Sequence, residues 1–470
     1  MPRVAVVGGG ISGLTAAHRL RRELGDSAEI VVHEQADRLG GKLRTARLAG
    51  RPFDLGAEAF LARRPEVLRL AEELGLADEV VHPSGASSRI RAGGGTHRMP
   101  GGTVMGVPSD VAQVRGLLSP AGVRAVEAEA GLPPLDLGGA DVPVGALLRE
   151  RVGAEVVDRL VEPLLGGVYA GSADSLGLRA TIPALAAALD AGAGSISAAA
   201  TAALPPPAPA GAAKPPVFGA LRTGYTALLD RLRTASAARI RTGAPVRALH
   251  RRDAGWRLEI GAAPDPEFAD ADAVVLAVPA PSARRLLADV APEAADRFGA
   301  VELASMIVIG LALPPDALPL DSSGVLIARG ERHADGTPFT AKAFTFSSAK
   351  WPELRGAGGE LLVRGSVGRF GEAESLRLSD QEVLRRVRAD LAELTGVDVE
   401  PRDSAVVRWG GGLPQYGPGH LDLVADVERA VAAVPRLAVA GAALHGVGVP
   451  ACIATGEAAA TRITADLVGG

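Results

Sequence analysis

The two ends of the chain share one pattern of apolar and polar positions: an apolar strand, a glycine-rich turn and an amphipathic helix. The first segment, "RVAVVGGGISGLTAAHRL", places Ile11, Leu14, Ala17 and Leu20 at helical spacing behind the turn. The last segment, "RLAVAGAALHGVGVPACIATGEAAATRI", repeats this order, and a second apolar strand begins at Ala28. The pattern predicts strands that alternate with helices, as in an α/β fold.

The middle of the chain predicts a different mixture of elements. Residues 111–189 have largely helical patterns, whereas "RIRTGAPVRALHR", "WRLEI", "DAVVLAVP", "SMIVIGLAL" and "ELLVRGSVG" read as strands. The segment "SDQEVLRRVRADLAELTG" predicts a helix with Ser379 as N-cap, Glu382 completing a capping box and Gly396 at its end. Residues 198–216 are rich in proline and alanine and predict a flexible loop at a domain boundary.

Composition narrows the possible functions. A length of 470 residues predicts two or three folded units, and a net charge of −4 argues against a nucleic-acid-binding surface. The single cysteine excludes a dithiol redox pair. The apolar stretch at 180–204 is mostly alanine and contains Asp190, so it predicts no membrane-spanning helix, and we expect a cytoplasmic protein with at most peripheral membrane contact.

A nucleotide-binding turn is predicted between the first strand and the first helix. Gly8, Gly10 and Gly13 form G-x-G-x-x-G, which permits a tight turn, close approach of a pyrophosphate and packing of helix on strand. Glu34 ends the second strand, where a carboxylate can bind ribose hydroxyls and would repel a 2′-phosphate. The glycine pair in "RLGGKLRT" (residues 38–45) follows this acid and favours the extended path of FAD over NAD.

Several longer motifs resemble one branch of the glutathione-reductase-type FAD superfamily. The glycine turn, the acid and the "RLGGK" pair are typical of the branch that contains monoamine oxidases, phytoene desaturases and protoporphyrinogen oxidases. The motifs "VEPLLGGVYAGSADSLGLRAT", "GGTVMGVPSD", "LPQYGPGH" and "HGVGVPACI" resemble the soluble Gram-positive porphyrinogen oxidases. The motifs occur in the expected order from residue 3 to about 465, so the resemblance covers nearly the whole chain.

The resemblance implies a fold and an activity. The fold is α/β, with an FAD-binding Rossmann-like domain (1–75, 217–290 and 425–470), a mixed-sheet substrate domain (76–109 and 291–424) and a helical domain (110–216). The activity is oxygen-dependent, six-electron oxidation of coproporphyrinogen III to coproporphyrin III in haem biosynthesis. Hydride from the methylene bridges would pass to the flavin, dioxygen would become hydrogen peroxide, and the product would pass to a ferrochelatase in a transient contact.

The resemblance also implies two sets of binding residues. The cofactor set contains Gly8, Gly9, Gly10, Ile11, Ser12, Gly13, Glu34, Gln35, Lys42, Gly56, Ala57, Glu58, Ala59, Val246, Trp409, Val447, Gly448 and Val449. The substrate set contains Phe60, Arg63, Arg64, Leu165, Gly167, Tyr169, Phe344 and Ser366. We predict no catalytic base and no metal ligand, and we interpret His420 and His445 as structural residues.

Four other functions are weighed against this one. Protoporphyrinogen IX oxidation differs only in the pocket rim, which these motifs do not decide. An amine oxidase usually places an aromatic ring where this chain has His445, and a phytoene desaturase needs long apolar entry helices. A noncatalytic porphyrin carrier would keep the fold but would not turn over.

Overall fold

The structure is a computed structural model, and it describes all residues except 207–214, 320, 356–357, 373 and 470. Its centre is a parallel sheet of five strands built from distant parts of the chain. In spatial order these are β12 (Arg239–Arg241), β2 (Glu29–His33), β1 (Arg3–Val7), β16 (Ala273–Leu276) and β22 (Leu437–Val439). The sheet is buried on both faces, which explains the nearly continuous apolar runs of its strands.

Seven helices accompany this sheet. They are α1 (Ile11–Leu24), α2 (Pro65–Glu73), α10 (Tyr225–Ser236), α11 (Ala280–Leu287), α12 (Pro292–Gly299), α15 (His420–Ala432) and α16 (Val449–Val468). Helices α1 and α16 pack side by side, because Gly456 brings the two backbones together: a Cβ there would lie 2.4 Å from the carbonyl oxygen of Ser12. The N-termini of the first and last long helices therefore meet at one edge of the sheet.

Smaller sheets surround this unit. A hairpin pairs β3 (Thr45–Leu48) with β4 (Arg51–Asp54), and an antiparallel sheet contains β13 (Val246–Arg252), β14 (Gly255–Ile260) and β15 (Glu267–Ala271). Strand β11 (Phe218–Leu221) pairs with β5 (Phe60–Leu61) and β6 (Val80–Val81), and β9 (Thr103–Val104) pairs with β10 (Val107–Pro108).

A seven-stranded sheet forms the second layered unit. In order it contains β21 (Asp403–Pro414), β17 (Leu303–Leu313), β20 (Leu361–Val367), β19 (Ala341–Thr345), β18 (Gly324–Ile327), β7 (Ser88–Ala92) and β8 (Gly95–Arg98). It is mixed, because β18 and β7 are parallel while the other pairs are antiparallel. Helix α14 (Asp380–Thr395) covers one face, and α13 (Ser347–Lys350) follows β19.

A helical unit with its own hydrophobic core is formed by residues 120–203. In the sequence it follows strand β10 and precedes strand β11. It contains α3 (Pro120–Ala128), α4 (Val144–Val152), α5 (Ala154–Val156), α6 (Glu162–Tyr169), α7 (Leu178–Thr181), α8 (Pro183–Asp190) and α9 (Ile196–Ala203), with a π-helical turn at Val157–Val161. No helix in the described ranges is long and apolar enough to cross a membrane.

Two expectations about segments change. The predicted flexible loop at 198–216 begins inside α9, because Ser195 caps that helix and Ala199 and Ala200 are buried; residues 207–214 lie outside the described residues. Helix α12 packs into the same hydrophobic cluster as β14 and α15. We therefore propose that the first domain extends through Gly299 and resumes at His420, beyond the predicted limits of 290 and 425.

Candidate active site

The turn between β1 and α1 has the geometry of a pyrophosphate-binding loop. Gly8 has a φ of +107°, and a Cβ at Gly13 would lie 1.9 Å from the carbonyl oxygen of Gly8, so neither position accepts a side chain. At Gly10, by contrast, the nearest heavy atom to a Cβ would be 3.9 Å away, and this residue is the N-cap of α1. Open space at a helix N-terminus suits an anion.

Glu34 is placed beside this loop as the sequence predicts. Its carboxylate is buried and accepts hydrogen bonds from the backbone N–H groups of Gly9 at 2.7 Å and Ala36 at 2.8 Å. These two bonds fix the carboxylate at the end of β2. Gln35, its neighbour, is exposed.

Lys42 is a half-buried lysine at the glycine pair that follows Glu34. Burial lowers the pKa of its ammonium group, and no carboxylate among the described residues forms an ion pair with it. It lies close to Cys452, on the first turns of α16, and Gly41 lies against Gly10 across the loop. An unpaired cation beside two helix N-termini fits the phosphates or the flavin ring of a dinucleotide.

A second edge of this groove comes from the segment after β4. A Cβ at Gly56 would lie 2.2 Å from the carbonyl oxygen of Lys42, and the Gly56 carbonyl accepts a hydrogen bond from Arg364. The indole N–H of Trp409 donates to the Leu55 carbonyl at 2.8 Å, and the Arg38 guanidinium lies over the Trp409 ring. Trp409 therefore lies beside the groove, through contacts that its sequence position does not reveal, and its binding of the cofactor stays a prediction.

Glu58 makes a different contact from the one expected of a cofactor ligand. Its carboxylate accepts hydrogen bonds from Lys350 at 3.1 Å and Ser347 at 3.2 Å. Burial raises the pKa of Glu58, but Lys350 and Arg364 outweigh this effect, and the net pKa lies below its usual range. The Glu58 carboxylate is thus ionised and already paired with Lys350, so a cofactor would meet the backbone of this segment rather than this side chain.

The remaining predicted cofactor residues divide between core and groove. Ile11, Ser12 and Val449 are buried, Gly448 is the N-cap of α16, and Val447 packs against the helical unit. The side chain of Val246 is buried in another cluster. Two residues earlier, the Ala244 N–H donates to the Glu34 carbonyl at 2.9 Å. The Val246 backbone is therefore near the end of the groove where Glu34 lies, which is the adenosine end of a bound dinucleotide.

A cleft lies between the seven-stranded sheet and α6. The side chains of Met306, Leu326, Ala343, Thr345, Arg364 and Ser366 are partly exposed on the sheet face turned away from α14. Gly167, on α6, is exposed, yet a Cβ there would lie 3.5 Å from Leu326. Gly167 and Ser366 therefore lie along this face, and their contact with a substrate stays a prediction.

The C-terminal end of α6 is tied to the groove by the segment after β21. Gln415 donates to the Tyr169 carbonyl at 2.8 Å, and the rings of Tyr169 and Tyr416 lie 5.7 Å apart. The Tyr416 hydroxyl donates to the Ala442 carbonyl in the loop before α16, and its ring stacks on His420 at 3.9 Å. Burial raises the pKa of Tyr169 to about 12, so it stays protonated.

Several predicted substrate residues lie elsewhere. Leu165 is completely buried in the helical core, and Phe60 packs beneath β11 against Gly219. Phe344 faces α14, on the opposite side of the sheet from the cleft, because a β-bulge shifts the alternation of β19. These three placements correct the prediction.

Arg63 and Arg64, at the start of α2, are predicted to bind the substrate, but no contact among the described residues places them at the cleft. Arg64 pairs with Glu66, and Arg63 is exposed. The His420 Nε2–H donates to the Leu444 carbonyl at 3.0 Å, and His445 pairs with Glu428 on the surface. The sequence prediction missed Lys342, Arg364 and Arg369, which lie along the cleft face or its edge; the only signal was charge within the apolar strand segments "FTAKAFTF" and "ELLVRGSVGRF".

A dinucleotide groove at one sheet, next to a partly exposed face of a second sheet, is the arrangement of a dinucleotide-dependent enzyme. The model of the flavin-containing amine oxidoreductase family matches residues 11–464, so the chain belongs to this family. The unpaired Lys42 and the open space at Gly10 fit the FAD that this family implies.

Individual relatives match over nearly the same length. The chain is 45% identical to a coproporphyrinogen III oxidase of Mycobacterium leprae over 98% of each chain, and 30% identical to one of Bacillus subtilis over 97% of this chain and 96% of the other. A crystal structure described as a protoporphyrinogen oxidase from Exiguobacterium sp. 255-15 superposes with a TM-score of 0.85, at 31% identity and 98% coverage of both chains.

Proposed function

We propose that this protein uses FAD and dioxygen to oxidise coproporphyrinogen III to coproporphyrin III, with release of hydrogen peroxide. The full-length similarity to coproporphyrinogen III oxidases supports the substrate. The observation that carries the proposal is the partly exposed sheet face beside α6, where Gly167 lies next to Leu326 and the pairing of Leu326 with Ala343 and of Ala343 with Ser366 continues the surface. A flat, greasy macrocycle needs walls of this kind, since backbone glycine and small side chains allow close approach.

The two sites divide the work of the reaction. Bound FAD would supply the hydride acceptor for three successive two-electron oxidations of the methylene carbons, and dioxygen would take up the electrons after each. Gly8–Gly13, Glu34 and Lys42 would hold the nucleotide, and the N-terminus of α16 would favour negative charge on the ring. Helix α6 and the sheet face would orient the macrocycle against the flavin. The pyrrole proton can leave to water, so the reaction needs no protein base.

The direct test is an anaerobic half-reaction. FAD-loaded protein is mixed with coproporphyrinogen III without oxygen, and the flavin absorbance is followed. We expect bleaching by the porphyrinogen, then recovery of the yellow colour and appearance of porphyrin fluorescence when oxygen enters. Matched trials use putrescine, as a test for amine oxidation. A yellow protein that no porphyrinogen bleaches would contradict the proposal, and would favour a carrier of porphyrins.

Substrate choice is measured separately, by kcat/KM for coproporphyrinogen III and protoporphyrinogen IX. We expect the former to be higher, because its two additional propionates can bind cations at the cleft. The name of the Exiguobacterium relative favours the alternative, protoporphyrinogen IX oxidation. A higher kcat/KM for protoporphyrinogen would change the substrate and leave the reaction class intact.

The porphyrin product could be transferred directly to the enzyme that inserts iron into it. We propose a transient contact with a ferrochelatase, on the ground of the chemistry alone, because a chelatase consumes the porphyrin that this reaction makes. The rate of iron insertion into newly made coproporphyrin should then exceed the rate with free coproporphyrin at equal concentration. Equal rates would leave diffusion as the route of transfer.

A further inference from the structure

Lys342 is a buried lysine in a strand, with 5% of its surface exposed. It is the additional residue of a β-bulge: Ala341 pairs with Val367 and Ala343 pairs with Ser366, which leaves Lys342 unpaired between them. Ala341 and Phe344 both pack under α14, so the two residues between them must turn to the opposite face. The bulge therefore directs Lys342 to the cleft side of the sheet.

That side is the one that α6 covers. Ala343 pairs with Leu326 of β18, and Leu326 is the residue that Gly167 faces. The backbone N–H of Phe370 donates to the Ala170 carbonyl at 2.6 Å, which closes the loop after β20 onto the end of α6. Lys342 thus lies at an edge of the cleft where sheet, loop and helix meet.

Other charged groups surround this lysine. Arg364 lies on the neighbouring strand β20, and Arg369 follows it in the loop and donates to the Ile327 carbonyl at 2.9 Å. Glu372 pairs with Arg329 at 2.8 Å and lies 3.9 Å from Arg369, and Glu162 of α6 lies 3.9 Å from Arg329. Within the described part of the chain, no carboxylate forms an ion pair with Lys342 itself.

Lys342 is therefore buried without a neutralising carboxylate from the described part of the protein. Burial and the positive charge of Arg369 lower the pKa of Lys342 to about 7; Glu372 opposes this effect, and Arg364 adds to it. A buried, unpaired cation is costly to keep, so a group that arrives with a negative charge would be bound there strongly. A porphyrinogen carries such groups only on its carboxylate arms.

We infer that Lys342 and Arg369 form the binding site for one carboxylate arm of the tetrapyrrole substrate. This inference rests on the proposed function. It assigns to Lys342 and Arg369 the carboxylate binding that the sequence led us to expect of Arg63 and Arg64. An arm held at this edge fixes the macrocycle in rotation against Gly167, and so selects which methylene bridge faces the flavin. The role is one of binding and positioning.

The titration of Lys342 gives the proposal a pH signature. The lysine binds a carboxylate only as an ammonium ion, which is the dominant form below its pKa of about 7. As the pH rises above 7, binding must also draw a proton from solution, so KM for coproporphyrinogen III should rise while kcat stays nearly constant. An arginine at this position keeps its charge throughout this range.

The experiment compares Lys342→Met and Lys342→Arg with the FAD-loaded wild type in steady-state assays of coproporphyrinogen III from about pH 6 to 9. Loss of a charged hydrogen bond predicts a KM raised about 10- to 100-fold in Lys342→Met, with kcat within about twofold. Lys342→Arg should keep a KM near the wild-type value at pH 7 and lose its rise at high pH. Arg332→Met, at an exposed arginine in the loop after β18, is the control for net charge.

Stability distinguishes binding from a structural role. Lys342→Met removes a buried charge, so Tm should rise, whereas a structural lysine would lower Tm when replaced. If wild type does not oxidise porphyrinogens, the proposed function fails. If wild type is active but both Lys342 variants keep its KM and pH profile, or lose kcat alone, only this inference fails. If Lys342→Met does not fold, the pH dependence of KM in Lys342→Arg still tests the inference, because a KM that rises with pH as in wild type would contradict it.

Discussion

Individual glycines in the first turn have separate physical tasks. Gly13 lets α1 pack on the turn, because a Cβ would lie 1.9 Å from the Gly8 carbonyl oxygen. Gly10 leaves space where a pyrophosphate is expected, and its φ of −76° is one that any residue adopts. The sequence motif has glycine at both positions. In the structure, Gly13 is needed for folding, whereas Gly10 is needed for ligand binding.

This separation predicts opposite outcomes for two alanine variants. Gly10→Ala should fold with an unchanged apoprotein Tm but bind FAD at least about tenfold more weakly, since the methyl group occupies the phosphate space. Gly13→Ala should lose stability by several kcal/mol, roughly, because backbone must move. Thermal unfolding of the apoproteins and FAD titration measure the two effects. Equal loss of Tm in both variants would contradict the assignment.

The residues of the cleft show how far local pattern reaches. Gly167 and Ser366 lie on the cleft as the sequence indicates, whereas Phe344 does not. Strict alternation along β19 would have turned Phe344 to the cleft with Lys342; the bulge leaves Lys342 there and turns Phe344 to α14. A bulge depends on pairing between two strands, so one strand's sequence does not reveal it.

At the scale of elements, helix α6 carries the motif that first suggests a macrocycle pocket. A π-helical turn precedes it, and Ala170, with a φ of +51°, ends it. One face of α6 buries Leu165 in the helical core, and the other exposes Gly167 to the sheet. The helix therefore separates the helical core from the sheet face, and its buried residue Leu165 cannot meet a substrate.

Graded side chains at Gly167 test this wall. Gly167→Ala should be tolerated, because its Cβ would make an ordinary 3.5 Å contact with Leu326. Gly167→Leu should lower kcat/KM for coproporphyrinogen III by about 10- to 100-fold, as the cleft becomes too narrow. Flavin content should not fall, and Tm should not fall, since leucine favours a helix over glycine by about 1 kcal/mol. Full activity of the leucine variant would contradict the proposed cleft.

The capping of α14 is an element that the sequence predicts correctly in detail. Ser379 accepts the Glu382 N–H at 3.2 Å, and Gly396 ends the helix with a φ of +72°. These signals are local, because a cap involves residues three or four positions apart. For the same reason, strand β1, the glycine turn and helix α1 follow the predicted order.

On the scale of the whole molecule, the dinucleotide groove joins the two ends of the chain. The N-termini of α1 and α16 lie side by side, where Gly456 meets Ser12, and β1 and β22 flank β16 in one sheet. A ligand bound in this groove would contact segments more than four hundred residues apart in sequence. FAD should therefore stabilise both ends together.

Linkage gives the size of this effect. FAD at a thousandfold excess over its Kd should add about 4 kcal/mol to the free energy of unfolding. Amide hydrogen exchange should slow at residues 8–13 and at 446–456 in the same titration, while α14 on the far sheet face serves as the internal reference. Riboflavin, which lacks the phosphates that Gly10 and Lys42 would hold, should protect less. Protection of only one terminal segment would contradict a single shared groove.

The sequence by itself determined what depends on near neighbours: the strand–turn–helix units, the nucleotide turn with Glu34, the caps, and the family that these motifs indicate. The tertiary structure alone decided which side chains meet across elements. Lys342, Arg364 and Arg369 come together because a bulge in β19 and the return of the loop after β20 join separate strands at one edge. The physical reason is that pairing register and packing between distant segments, which no local spacing encodes, direct a side chain to one face of a sheet or the other.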